Sequence, residues 1–359
     1  MENPQSDIFL IAPGVRRSHG KSTLADVAAQ AGVTTMTVSR LLREPNSVKP
    51  ETAERIRQAL TATGYTPNKQ AGSLASGRSA LVAVLIPSVA NSIFAETIQG
   101  LAETLQPAGL ELMLAPSGYS HEREENQLRA MLGWAPAAVV VTGRQHSAGS
   151  LQLLRSAREA GTPVIEMWDN EPQTAEFTQI GFNHHQAGQA MARHLLHCGY
   201  TDLMFLDSSV VQDYRAHERG LGFVQAAEQA GVEVRIQTAQ LGEPMAAGRA
   251  MLQGLLQPSR PLAIGFANDH LAVGALLQAC DFGLAVPQQL ALLGFGDFPI
   301  AGQLMGGLST LAAPRHLIGL ECGRSILNSL NIKIRSSETS LEPVCLEPKL
   351  MIRHTTKLF

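Results

Sequence analysis

Three short stretches of helical periodicity follow one another between Thr23 and Gly64, at a spacing that few folds accommodate. Leu24, Val27, Ala28 and Ala31 recur at helical intervals behind Thr23, a residue suited to cap a helix N-terminus, and Gly32 stops the run. A second helical stretch runs from about Thr34 to Leu42. It places Val38, Leu41 and Leu42 on one face and Thr34, Thr35, Thr37, Ser39 and Arg40 largely on others. Pro50 opens a third, with Glu51 in its first turn, Ala53, Ile56, Ala59 and Leu60 inward, and Gly64 at its end. Small Ala28 where the helices approach, Gly32 in the turn and Val38 to plug the gap form the pattern of a helix-turn-helix. An αα-hairpin inside a larger helical domain shares the periodicity. It has no need, however, of the exposed Thr/Ser/Arg face that phosphates and base edges require. Thr34, Thr37 and Ser39 suit phosphate oxygens, Arg40 suits a guanine edge through two parallel hydrogen bonds, and Met36 suits a thymine methyl.

The formal net charge of −3 hides an uneven distribution. Residues 22–78 carry seven Lys and Arg against four Asp and Glu, a net of +3, and residues 1–21 add +1, so the remainder carries −7. A basic head on an acidic body directs only the head toward a polyanion. At 359 residues the chain is too long for one core, and 45% hydrophobic content marks it as folded. No apolar run approaches a membrane span, and Ile8 to Ala12 precedes Arg16, Arg17 and Lys21 instead of following them, which makes a poor signal peptide. A cytoplasmic location follows as an expectation. Cys198, Cys280, Cys322 and Cys345 stand far apart and read as reduced core residues. His121, His146, His184 and His185 lack ligand spacing, so no metal and no cofactor are expected.

Beyond residue 80, short apolar runs alternate with helical patterns. Strands are suggested at Leu81 to Ile86, Leu110 to Ala115, Ala138 to Thr142, Pro163 to Met167, Leu203 to Asp207, Leu262 to Phe266 and Leu290 to Gly294. Helices are suggested at Ala95 to Gln106, Glu122 to Leu132, His185 to Leu196 and Gly220 to Gln229. This is the signature of parallel α/β layers, and so many strands suit two lobes better than one sheet. Ligands of open α/β sheets sit beyond the carboxyl ends of the strands. There the sequence offers Ser88, Asn91 and Phe94; Thr142 and Arg144; Glu166, Trp168 and Asp169; Asn268 and Asp269; and Asp297. Donors and acceptors beside flat apolar walls are what a sugar-like ligand needs. EPVCLEPKLMIRHTT reads as a final strand, with no heptad tail after it.

The run TLADVAAQAGVTTMTVSRLLREPNSVKPETAERIRQALTATGYTPNKQAGSLASGRS resembles the head and hinge of the lac repressor (LacI/GalR) family. The resemblance continues through LIPSVANSIFAE, LMLAPSGY, MLGWAPAAVVVTGRQH, GTPVIEMWDN, IGFNHHQAG and GFGD, and within the family it is nearest to the repressors of gluconate operons. It implies an all-α helix-turn-helix head plus an α/β periplasmic-binding-protein-like body of two doubly wound lobes. The implied division is a tail at 1–21, the head at 22–66, a hinge helix and linker at 67–79, and a body at 80–359. Lobe one of that body takes about 80–182 plus 314–330, and lobe two about 183–313 plus 331–359.

The resemblance also implies residue roles. Thr35, Met36 and Arg40 take base-reading positions, Thr23, Thr34, Thr37 and Ser39 lie on or near the backbone, and Tyr65 lies near the DNA. Asn68 to Ser76 matches a hinge helix that enters the minor groove, with Leu74 as the apolar wedge and Asn68, Ala71 and Ser73 beside it. By composition alone the same segment is equally an inert linker. Arg219, in RGLGF, and Asn268, in ANDHLAVGA, match effector-holding residues. Where many relatives have GFDD or GYDD, this chain has Gly294-Phe295-Gly296-Asp297. Losing that carboxylate favours an anionic ligand, which an arginine binds in bidentate fashion. A sugar acid is therefore expected over a neutral sugar, with Arg144 and Arg315 as further candidates for its charge. The expected partners are palindromic operator DNA, a sugar-acid effector such as gluconate or 6-phosphogluconate, and a second copy of the chain as homodimer.

Two other classes stand beside this reading. A solute-binding receptor would share the body but has no use for the head. An α/β enzyme would need chemistry that GxGxxG, P-loop or GxSxG motifs signal, and the chain has none of these.

Overall fold

The structure is a computed structural model that describes residues 22–66, 79–89, 92–255, 261–304, 306–332 and 346–356. It divides into two compact units, one ending at Ala75 and the other beginning at Ser76.

In the first unit, α1 (Leu24–Ala31), α2 (Thr35–Arg43) and α3 (Pro50–Thr63) surround one small core. The start of α1 is a capping box: the Thr23 hydroxyl accepts from the Asp26 N–H, and the Asp26 carboxylate accepts from the Thr23 N–H at 2.7 Å. Gly32 ends the helix with φ 62, a left-handed conformation. The Arg55 guanidinium reaches from α3 to the carbonyls of Ala31 and Gly32, satisfying helix-end acceptors the glycine turn leaves open. Val27, Ala28, Ala31, Val38, Leu41, Ala53, Ile56 and Ala59 form the core. Leu42 departs from the expected inward set: at 100° per residue it falls one step past the Val38–Leu41 stripe and is exposed.

The second unit holds two parallel sheets. The first has strand order β2-β1-β3-β4-β5, from β1 (Leu81–Ile86), β2 (Glu111–Pro116), β3 (Ala138–Thr142), β4 (Val164–Met167) and β5 (Thr178–Ile180). Around it lie α4 (Ala95–Leu105), α5 (His121–Leu132) and α6 (Ala148–Glu159). The second is ordered β11-β10-β9-β8-β6-β7, from β6 (Leu203–Asp207), β7 (Val234–Thr238), β8 (Leu262–Phe266), β9 (Leu290–Phe295), β10 (Ser309–Ala312) and β11 (Lys349–Met351). Its helices are α7 (His184–His197), α8 (Tyr214–Gln229), α9 (Pro244–Gly254) and α10 (Asp269–Asp281). Only β10–β11 pairs antiparallel among these strands. After β10 the chain crosses back to the first lobe, where α11 (Arg315–Ser329) packs on α4 so closely that a Cβ on Gly319 would lie 2.0 Å from the Thr97 carbonyl oxygen.

The closing segment is shorter than its sequence suggests. Among the described residues of that stretch only Lys349–Met351 is strand; Pro348, just before it, has no N–H to donate to a ladder. Beyond it, side chains replace ladder bonds: buried Thr355 accepts from the Ser309 N–H at 2.8 Å and donates to the Leu292 carbonyl at 2.7 Å. Cys198 and Cys280 are half-buried and Cys322 is buried, and all three are outside any disulfide. Among the described residues no helix is long and apolar enough to cross a membrane, and no cluster is suited to hold a metal.

Candidate functional site

Two surfaces carry chemistry, one on each unit. On the first, α2 presents the expected polar face. Thr34 caps it: its hydroxyl accepts from the Thr37 N–H at 3.3 Å and lies 2.9 Å from the Thr37 hydroxyl. Thr34, Thr35 and Arg40 are exposed, Thr37 and Ser39 half-exposed, and Met36 is 68% exposed, so its thioether is free to touch an apolar group outside the head. Thr23 is exposed at the start of α1. Tyr65 packs partly buried on the core of the head. Asn68, Ala71, Ser73 and Leu74 lie outside the described residues.

On the second unit a pocket opens between the lobes at the carboxyl ends of the strands, about 400 Å³ including its mouth. Ile93 and Phe94 reach it from beyond β1, Tyr119 from beyond β2 and Trp168 from the end of β4. The other lobe supplies His184 at the start of α7, Asp213, Arg215 and Arg219 from α8 and its N-cap, Ala267 and Asn268 beyond β8, and Phe295 and Phe298 around the end of β9. Helices α7 and α8 are drawn together by glycines. A Cβ on Gly188 would lie 1.9 Å from the Arg219 carbonyl oxygen, and one on Gly222 would lie 1.9 Å from that of His185. That approach seats His184 against Arg219.

The polar wiring is unusual for a buried site. Arg219 points one nitrogen at His184 Nδ1, 2.9 Å away, donates another to the Ala267 carbonyl at 2.9 Å, and lays its plane over the Phe295 ring at 3.8 Å. Its Nε is buried without a partner, and so is the indole N–H of Trp168. A guanidinium cannot accept a hydrogen bond, so His184 must be the acceptor at Nδ1 and carry its proton on Nε2, which faces the Trp168 carbonyl at 2.8 Å. The imidazole is therefore neutral. Burial first, then the positive charges of Arg219 and Arg215, hold its pKa well below the usual value. Burial and the neighbouring Arg215 charge also push Arg219 down to about 10, despite the opposing pull of Asp213. Among the described residues neither Arg215 nor Arg219 has a carboxylate within 4 Å; Arg215 donates only a 3.4 Å bond to the Thr142 carbonyl and sits by the Tyr214 ring. Two buried cations thus face a cavity lined by one carboxylate, Asp213, while Asp169 also pulls on Arg215 and Asp207 on Arg219 from farther away.

Of the sequence candidates, Phe94, Trp168, Arg219 and Asn268 line this pocket. Asn268 uses its carbonyl oxygen to cap α10, accepting from the Leu271 N–H at 3.1 Å, which leaves the donor half of the amide for a ligand. The rest are engaged elsewhere. Thr142 donates to the Leu85 carbonyl at 2.8 Å, and Ser88 is half-buried in the loop beyond β1. Arg144 does not face the pocket with a free charge: it binds Glu218 at 2.6 Å and Asp169 at 3.3 Å, while its N–H donates to the Tyr214 hydroxyl at 2.7 Å. Tyr214 in turn donates to Asp169, whose carboxyl burial raises to about 6 against the pull of Arg215, Tyr214 and Arg144. Because Arg144 and Asp169 belong to one lobe and Tyr214 and Glu218 to the other, this is a latch across the cleft. Arg315 is likewise neutralised, by Glu96 at 2.7 Å, and donates to the Asp297 carbonyl at 3.0 Å. Asp297 pairs with Arg353 at 2.7 Å, and Glu166 is buried beside His146 and Gln179. Asn91 lies outside the described residues. At Gly296 the backbone has φ +121, and a Cβ would sit 2.7 Å from the Phe298 ring, so the absent carboxylate goes with a local conformation that favours glycine.

Sequence reasoning missed Arg215, His184, Asp213 and the aromatic floor of Phe295 and Phe298. Arg215 stands four residues before Arg219, one helical turn away on the same face, and that spacing was a usable signal.

Residues 23–68 match the model of bacterial regulatory proteins of the lacI family, and residues 192–356 match a periplasmic binding protein-like domain. The chain is 35% identical to the HTH-type transcriptional regulator GntR of Pseudomonas aeruginosa over 87% of its own length and 90% of that protein. It is 30% identical to the Escherichia coli K12 protein of the same name over 83% and 89%. Among solved structures, a LacI family transcriptional regulator from Silicibacter pomeroyi superimposes with a TM-score of 0.83 at 35% identity, covering 94% of this chain and all of that one.

Proposed function

Since the chain belongs to the lacI family of bacterial regulatory proteins and is a DNA-binding transcriptional regulator, we infer that it is a cytoplasmic, homodimeric repressor of sugar-acid uptake or catabolism genes. It is released from a palindromic operator by an aldonate such as gluconate or 6-phosphogluconate. The observation that carries the effector class is the pair Arg215 and Arg219: buried cations facing the interlobe pocket with no carboxylate within 4 Å, one with an unpartnered Nε. Arg215 is already favoured as a cation by Asp213 and Asp169, whereas burial and Arg215 hold Arg219 down to about 10; a carboxylate in the pocket offsets that with charge-assisted hydrogen bonds. The hydroxyls of a sugar acid find donors in Trp168 Nε1 and the Asn268 amide, an acceptor in Asp213, and flat walls in Phe94 and Phe298.

The head reads DNA with α2, Thr35, Met36 and Arg40 toward base edges and Thr34, Thr37 and Ser39 toward phosphates. Coupling follows from differential affinity: a ligand that favours one arrangement of the lobes shifts the equilibrium of the segments that grip the operator. The enzyme reading has no support from the relatives, which are transcriptional regulators. Thermal-shift measurements with gluconate, 6-phosphogluconate, 2-ketogluconate and galactose test the effector class. Stabilisation by the acids and not by galactose is expected; stabilisation by galactose alone refutes the reading of the arginine pair.

A further inference from the structure

The loop from β3 to α6 is fastened to β4 and the residues just beyond it at two places. Arg144 meets Asp169 at 3.3 Å and continues across the cleft to Glu218. Two residues on, His146, its side chain wholly buried, lies between two carboxylates: Nδ1 is 2.8 Å from Glu124 of α5, and Nε2 is 3.5 Å from Glu166 of β4. These are the charged groups that face the ring, with Glu125 beside them accepting from the hydroxyl of Ser147, the N-cap of α6, at 3.3 Å. The far oxygen of Glu166 accepts from Gln179 at 2.7 Å, which fixes that carboxylate from β5. A neutral imidazole has one N–H and can turn it toward one of the two carboxylates only; the imidazolium presents one to each, in a hydrogen bond at Nδ1 and in an ion pair at Nε2, which is buried without a hydrogen bond. Without the second proton, the buried Glu166 and the half-buried Glu124 would flank the ring with no cation between them.

We propose that protonated His146 is a positioning residue for cleft closure, holding the β3–α6 loop against β4 so that Arg144 reaches Glu218 and its N–H reaches Tyr214. The loop is short, running from Thr142 to Ala148, so a shift at residue 146 is passed to residue 144. Burial works against the charge, but Glu124 and Glu166 more than offset it and raise the ring to about 9. At neutral pH the clamp is therefore set, and it releases as the pH climbs past that value. Neither Arg144 nor His146 lines the arginine-bearing pocket, so the device acts on the lobes and is independent of which ligand the cleft takes.

The chain carries its own reporter. Trp168, next to Asp169 in the latch, is 2% exposed, whereas the other tryptophan, Trp134, is 51% exposed. In full-length Trp134→Phe protein without ligand, acrylamide quenching of the remaining indole is followed from pH 7 to 10. Low, flat quenching up to about pH 8.5 and a severalfold rise with a midpoint near 9 are expected. In the Trp134→Phe/Glu124→Gln protein, where glutamine keeps the shape of Glu124, the midpoint moves down by about one pH unit or more, because one of the two charges that hold the proton is gone. A flat profile, or a midpoint unmoved by Glu124→Gln, overturns the proposal. The readout needs no effector, so its failure and a failure of the sugar-acid reading are told apart.

Discussion

Replacing Arg219 by Met should remove the ability of the cleft to tell an acid from its neutral counterpart. Arg219 is 5% exposed, and burial together with the neighbouring Arg215 charge holds its pKa down to about 10, a cost on the order of 3 kcal/mol at about 1.4 kcal/mol per unit. A bound carboxylate relieves that penalty. Arg219→Met should therefore weaken gluconate binding by about 2–3 kcal/mol, roughly 30- to 150-fold in Kd. Glucitol, which has the same carbon chain and no charge, should lose less than about 1 kcal/mol. Methionine fills most of the volume over the Phe295 ring, so packing changes little. Stability should also change little, because loss of the buried charge is offset by leaving His184 Nδ1 and the Ala267 carbonyl without their donor. Isothermal titration with both ligands at one ionic strength reads the difference directly. An equal loss for gluconate and glucitol would refute the electrostatic argument and leave Arg219 a packing residue.

Other consequences follow from the same geometry. Gly222→Ala forces α8 off α7 at the His185 carbonyl, and should destabilise the body by about 1–3 kcal/mol while lowering effector affinity, as read by urea midpoint and titration. Ile56→Ala empties the centre of the three-helix core and should cost about 2–5 kcal/mol, enough to abolish operator binding while effector binding survives; loss of both would contradict the independence of the units. His184→Gln keeps one acceptor for Arg219 and one donor for the Trp168 carbonyl but cannot titrate. Since the folded pKa of His184 lies below its unfolded value, the unfolded chain binds the extra proton and stability falls as pH drops below 6.5. Wild type should thus lose up to about 1.4 kcal/mol per pH unit relative to the variant between pH 6.5 and 5.5, and parallel curves would mean that His184 titrates normally. Leu74→Ala should weaken specific operator binding and spare ligand binding; unchanged operator affinity would remove the wedge role.

What the sequence made legible divides by the range of the interaction. Caps and local periodicity are short-range, so Thr23, Gly32, Thr34, Pro50 and Gly64 mark the helices of the head within a residue of their observed ends. Buried parallel strands are continuous apolar runs, which is why β1, β3, β6 and β8 stand out. β7 and β10 do not: β7 is an exposed edge strand, and β10 buries Ser309 and Thr310, whose hydroxyls are matched to Arg353, Thr356 and Asp269 far along the chain. The cleft follows the same rule. Arg219 and Asn268 were legible through their motifs and Phe94 through its place after a strand. The pairing of Arg144 with Glu218, 74 residues away, and of Arg315 with Glu96, 219 residues away, is set by lobe packing and neutralises two arginines that sequence alone offers as ligand contacts.

The most direct test of the central claim is operator release. Fluorescence anisotropy of the full chain on a palindromic operator, at fixed salt, is titrated with gluconate and in parallel with galactose. Release by gluconate with no effect of galactose is the predicted result. Specific binding that galactose alone reverses would contradict the anionic cleft, and failure to bind any palindromic duplex would contradict the assignment of α2 as a reader of DNA.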